Sequence, residues 1–173
     1  MINIFNIKDR KIYTNNKIKK ITSLLTSIFE TGNIAGWFTA FFLHYTPHVI
    51  TLLLFLYSPF NLSFLIIWLI SFCLHLFFKG CIHLRLERSL FNNKKWSGPY
   101  HILENFDTEL NTKNMMKLYY ILSVSLLLIY VIKFINYWIE PTNSITDLFF
   151  MKNKIFYALI VGWVLQVIGF VLI

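Results

Sequence analysis

Four apolar blocks, at 34–57, 62–78, 116–138 and 155–173, constrain this chain more than any other feature. A helix needs about 20 apolar residues to cross the hydrocarbon core of a bilayer. Lipid offers no partners to the backbone, so such a segment has to satisfy its own amides and carbonyls. The blocks therefore predict an all-α membrane fold, a four-span transmembrane helical bundle. Composition agrees. Charged residues make up 14% of the 173 and the mean hydropathy is +0.60, where soluble domains carry about a quarter charged residues.

The polar segments set the order of parts. Residues 1–33 read as a basic tail followed by an amphipathic interfacial helix, with Ile21, Leu24, Leu25 and Ile28 as its apolar face. Such a helix suits anionic lipid headgroups. Residues 34–78 form a hairpin around the Ser58–Asn61 turn, which contains Pro59. Residues 79–115 make a cytosolic amphipathic linker, in which Trp96 and Tyr100 suit the headgroup level, and residues 116–173 a second hairpin. Lysine and arginine concentrate in the N-terminal segment and the linker, so the positive-inside rule puts both termini and the linker in the cytosol. The same distribution accounts for the net charge of +8 with no nucleic-acid partner. Cys73 and Cys81, in and just after an apolar run, are not placed as a disulfide pair.

His44 and His48 lie one helical turn apart inside the first block, on either side of Pro47, and so face the same way. His75 sits about as far from the turn in the returning block. At 1.5 Å per residue, an antiparallel hairpin brings His44 and His75 to similar depth. Ionisable groups inside spans are costly and by default mark functional sites. Imidazole is a common ligand of haem iron and transition metals, so His44, His48 and His75 are the candidate metal ligands. Hydrogen bonding to neighbouring helices is the structural alternative. With one HxxxH and no further histidine box, a desaturase-like diiron site is not expected. Pro47 predicts a kink.

A second group, Cys81, His83, Glu87 and His101, forms the candidate catalytic set at the cytosolic mouth. On an unbroken helix Cys81 and His83 point about 200° apart, so a nucleophile–base pair requires a break. Glu87, one turn after His83, is the expected partner of that histidine, and Arg88 that of Glu30. Gly80, Cys81, Leu86, Glu87 and Leu90 resemble a motif in small multi-pass bacterial membrane proteins of uncharacterised function. In those proteins an apolar span ends in Gly-Cys followed by a Leu-Glu pair. They usually place a proline after the cysteine, which is absent here. The resemblance implies a helical membrane fold with a cytosolic corner and no particular activity.

In the third block Tyr119, Ser123, Tyr130, Lys133 and Tyr137 share a stripe, with Lys133 expected to snorkel. In the fourth, Ala158, Gly162, Gln166 and Gly169 predict a close packing seam, within the bundle or between subunits of a homo- or hetero-oligomer. The chain has no Walker loop, GxSxG, HExxH or potassium-filter sequence. The leading expectation is a non-catalytic scaffold or assembly protein. A haem- or metal-binding redox protein is the alternative, and a lipid-acting enzyme at the cytosolic interface the third class.

Overall fold

The computed structural model describes residues 6–58, 60–78, 80–98, 109, 111–139 and 154–172. Helices make up 88% of it, with no strand among the described residues. Among the described residues six helical elements follow in chain order: α1 (Ile7–Phe29), α2 (Gly32–Tyr57), α3 (Leu62–Phe78), α4 (Ile82–Leu90), α5 (Thr112–Ile139) and α6 (Lys154–Leu172).

α1 begins well before the expected interfacial helix and takes up most of the basic segment. The Asn6 side chain caps it by accepting from the Lys8 amide at 2.9 Å, and Asp9 suits the positive end of the helix dipole. Glu30, at φ 64°, ends it, and Thr31 caps α2 by accepting from the Ile34 amide. The expected apolar face divides. Ile21 and Leu25 pack with Phe29 against a buried cluster of Ile18, Ala35, Leu86 and Leu90, whereas Leu24 and Ile28 are exposed. Arg85 donates to Asn15 at 2.7 Å and Thr22 to Ser89 at 2.9 Å. α1 is thus tied to α4.

α2 and α4 approach closely because α2 carries Gly32 and Gly36. A Cβ on Gly32 would lie 2.5 Å from the Leu90 carbonyl oxygen, and one on Gly36 would lie 2.6 Å from the Phe91 ring. This small-xxx-small spacing lets backbones meet.

Within α2 the hydrogen bonding changes register. Gly32–Phe38 is α-helical, Thr39–Tyr45 is a π-helix closed by the Thr46 amide on the Phe41 carbonyl, and Thr46–Tyr57 is α-helical again. In a regular helix the Pro47 ring would collide with the carbonyl of the preceding turn. The widened π turn sits where that collision would fall, and it is the form taken by the kink that the proline predicts.

Gly32–Tyr57 and Lys113–Ile139 are each long and apolar enough to cross a membrane. α3 and α4 make a third such stretch only if the pair, bent by 58° at the break between them, counts as one span; the apolar part of α6, Ile155–Ile168, is shorter. The end of the bundle away from α4 is closed by Phe60, Phe64, Tyr130 and Phe156. There the Tyr130 hydroxyl donates to the Asn61 carbonyl at 3.2 Å. Lys133 does not merely reach toward water: its ammonium donates to the carbonyls of Phe55 at 2.7 Å, Leu56 at 2.9 Å and Ser58 at 2.5 Å. It caps the C-terminal end of α2, where carbonyls lack intrahelical donors. On α6, Gly162 has nothing within 4 Å of an added Cβ, so it packs closely against no other helix among the described residues. Pro59 and the 140–153 connection lie outside the described residues.

Candidate active site at the helix break

The divergence expected of Cys81 and His83 holds only for a continuous helix, and the chain breaks there. α3 ends at Phe78, and Gly80 adopts φ 129°, a conformation L side chains rarely take. Its amide donates to the His75 carbonyl at 2.9 Å, a helix-terminating bond. Cys81 is the extended N-cap residue of α4. The thiol therefore stands at a helix start, beside amides that no carbonyl in the helix can accept from. Cys81 is partly accessible.

His44 projects from the π turn of α2 into this corner and is buried. Its Nε2 lies 3.4 Å from Cys81 Sγ, and its Nδ1 lies 2.5 Å from Glu87 Oε1. The carboxylate only accepts, so His44 carries a proton on Nδ1 and turns Nε2 to the thiol. Glu87 is fully buried. Its other oxygen accepts from the Tyr45 hydroxyl at 2.8 Å and from Trp96 Nε1–H at 2.7 Å. Three donors therefore satisfy a carboxylate that would be very costly to bury alone. Arg88 Nε in turn donates to the Trp96 carbonyl at 2.6 Å, so it serves the Trp96 loop. Gly98, at φ 54°, brings the chain so close that a Cβ would fall 2.0 Å from the Tyr45 hydroxyl oxygen.

Further imidazoles stand nearby. His83 stacks near-parallel on His44, with ring centres 5.2 Å apart, and its Nε2 donates to Gln166 Oε1 at 2.9 Å. The bonds expected between His83 and Glu87, and between Glu30 and Arg88, are thus replaced by other partners. Gln166 does bond across helices, to α4. His48 donates through Nδ1 to the His44 carbonyl, and its ring centre is 5.2 Å from that of His44. His75 donates to the Ser71 carbonyl at 3.0 Å and stacks on Tyr119 at 4.4 Å. His101 lies outside the described residues.

The structure therefore merges the two groups that the sequence keeps apart. His44 and His48, read as ligands, stand with Cys81, His83 and Glu87, read as catalytic. Tyr45, Trp96 and Gly98 were missed. Neighbours in an α-helix point about 100° apart; His44 and Tyr45, at the end of the π turn, share one carboxylate.

Two kinds of chemistry suit these groups. A thiol, an imidazole and a buried carboxylate in hydrogen-bonded sequence make a nucleophile, a base and a group that orients the base. Alternatively, ligand atoms of His44, Cys81 and His83 all lie within 4.8 Å of one another, and a carboxylate behind a histidine also supports metal ligation. Stacked rings, however, do not readily aim their in-plane lone pairs at one ion. No family model, curated protein or solved structure matches this chain.

Proposed function

We propose that this protein is a multi-pass membrane enzyme that transfers or hydrolyses acyl groups through Cys81 at the cytosolic face. The observation that carries the reading is the bonded sequence Cys81 Sγ, His44 Nε2, His44 Nδ1, Glu87 Oε1, with separations of 3.4 and 2.5 Å. A scaffold needs no such arrangement, and a bonded thiol–imidazole–carboxylate set is the signature of an activated nucleophile. The proposal includes four crossings with both termini cytosolic, supported by the placement of lysine and arginine.

In the reaction, Cys81 passes its proton to His44 Nε2 and its sulfur attacks the carbonyl carbon of an ester, thioester or amide. Free amides of the first turn of α4 face the developing oxyanion. The bond to the leaving group breaks as His44 returns the proton to it, and the acyl group remains on sulfur as a thioester. Water or an acceptor hydroxyl, deprotonated by His44, then displaces the thiol. Glu87 holds His44 in the required tautomer throughout.

Cys73, exposed on α3, provides an internal reference. Iodoacetamide should alkylate Cys81 about tenfold faster than Cys73, since a helix N-terminus and a neighbouring imidazole both favour thiolate. His44→Ala should abolish that preference, and Cys81→Ala should abolish hydrolysis of a short p-nitrophenyl ester. A preference that survives His44→Ala in folded protein overturns the proposal.

A second reading rests on the 4.8 Å cluster of His44, Cys81 and His83. It expects one equivalent of zinc in equilibrium dialysis, lost in His83→Ala, whereas the acyl-transfer reading expects none.

A further inference from the structure

Next to the thiol cluster, a cavity of about 320 Å³ runs between α2, α3, α5 and α6. His48, Ser71 and Tyr119 line one end, Thr51 and Ser123 lie a turn further along, and Tyr130 lies at the far end. Phe55, Phe64 and Phe156 line the other end, and leucines such as Leu122 and Leu126 the wall. His48 joins the first end to the reacting groups. Its ring centre is 5.2 Å from that of His44, and Tyr119 stacks on His75. Ligand sites have this form, an apolar enclosure with a few polar groups at one place.

Resting on the acyl-transfer reading, we infer that the cavity houses the hydrocarbon chain of the substrate, an acyl chain of a bilayer lipid, with its carbonyl carbon delivered to Cys81. Length fits. Tyr119 to Tyr130, both lining residues, spans about 16 Å of helix at 1.5 Å per residue, which matches an extended chain of about a dozen carbons. The wall belongs to apolar helices, so a chain already dissolved in lipid enters with little change of environment. Selectivity then comes from how far the chain fits before its head reaches sulfur.

The test uses the full-length protein in detergent and a series of N-alkyl chloroacetamides from C2 to C18, with the ratio of Cys81 to Cys73 labelling read by peptide mass spectrometry. Cys73 sees the same micelle, so the ratio removes partitioning. It should rise about tenfold from C2 to C12, because placement of the head raises the effective concentration at sulfur, and fall again at C18. Leu126→Trp and, independently, Leu122→Trp should flatten the series while leaving the iodoacetamide ratio unchanged, which also reports an intact fold. A ratio independent of chain length, with iodoacetamide preference still lost in His44→Ala, overturns the cavity assignment and leaves the relay standing. Loss of the iodoacetamide preference in the unsubstituted protein overturns both. Filled variants that keep the C12 optimum overturn the cavity assignment alone.

Discussion

His44 Nδ1 stands 2.5 Å from Glu87 Oε1 although 43 residues separate them. The contact joins the π turn of α2 to the middle of α4, and both groups are buried. It couples the tautomer of the imidazole beside Cys81 to the packing of two helices.

Glu87→Gln tests this coupling chemically. The amide keeps one acceptor oxygen but turns an NH2 group toward the donors that now surround the carboxylate. Iodoacetamide reactivity of Cys81 at neutral pH should fall about tenfold or more, with Cys73 unchanged. Glu87→Ala also leaves buried donors unpaired and should lower unfolding stability by about 3–5 kcal/mol, measured by denaturant titration in detergent.

The two α2 glycines should not respond equally. At Gly32 an added methyl meets a backbone carbonyl, whereas at Gly36 it meets the ring of Phe91, which can swing aside. Overpacking of this kind costs about 1–3 kcal/mol. Thermal unfolding should therefore rank Gly32→Ala as the more damaging, and Gly162→Ala, with open space around it, as near neutral.

Gly98→Ala combines a positive φ with a methyl group driven into the Tyr45 hydroxyl. A loss of about 1–3 kcal/mol is expected from the backbone conformation alone. Displacing Tyr45 also removes a donor from Glu87, so Cys81 alkylation should slow together with the loss of stability. A variant with reduced stability and unchanged Cys81 alkylation would separate Tyr45 from the relay.

Lys133→Met leaves three carbonyls at the end of α2 without their ammonium donor. Bonds to a charged donor contribute about 1.5–3 kcal/mol each, so unfolding stability should drop by at least about that much. Lys133→Arg should recover part of it. Alkylation of Cys81, at the opposite end of the bundle, should not change.

Much of the architecture was legible in the sequence, and the reasons are physical. Apolar blocks announce membrane-crossing helices because lipid leaves the backbone no other solution, and α2 and α5 meet that expectation. α1 was less legible. A run rich in lysine and asparagine reads as a solvated tail, and its helix draws on contacts to α2 and α4 that have no local signature. At the site, each candidate was visible by residue type but their grouping was not. Cys81 and His83 are brought together by the break at Gly80, and His44 with Tyr45 by a π turn. Both depart from the 3.6-residue period on which spacing arguments rest. Glu87 reads as the partner of His83, one turn away, because its burial beside Trp96 depends on a loop whose close approach needs Gly98.

The π turn of α2 has one more consequence. It amounts to a single surplus residue, and excising one position between Thr39 and Tyr45 would restore an ordinary coil of undiminished hydrophobicity. The stretches on either side would keep roughly their present relation, because the widened turn is how the helix absorbs the extra residue. A chain so shortened would keep its hydrophobic length and lose only the widened turn from which His44 reaches the corner beside Cys81.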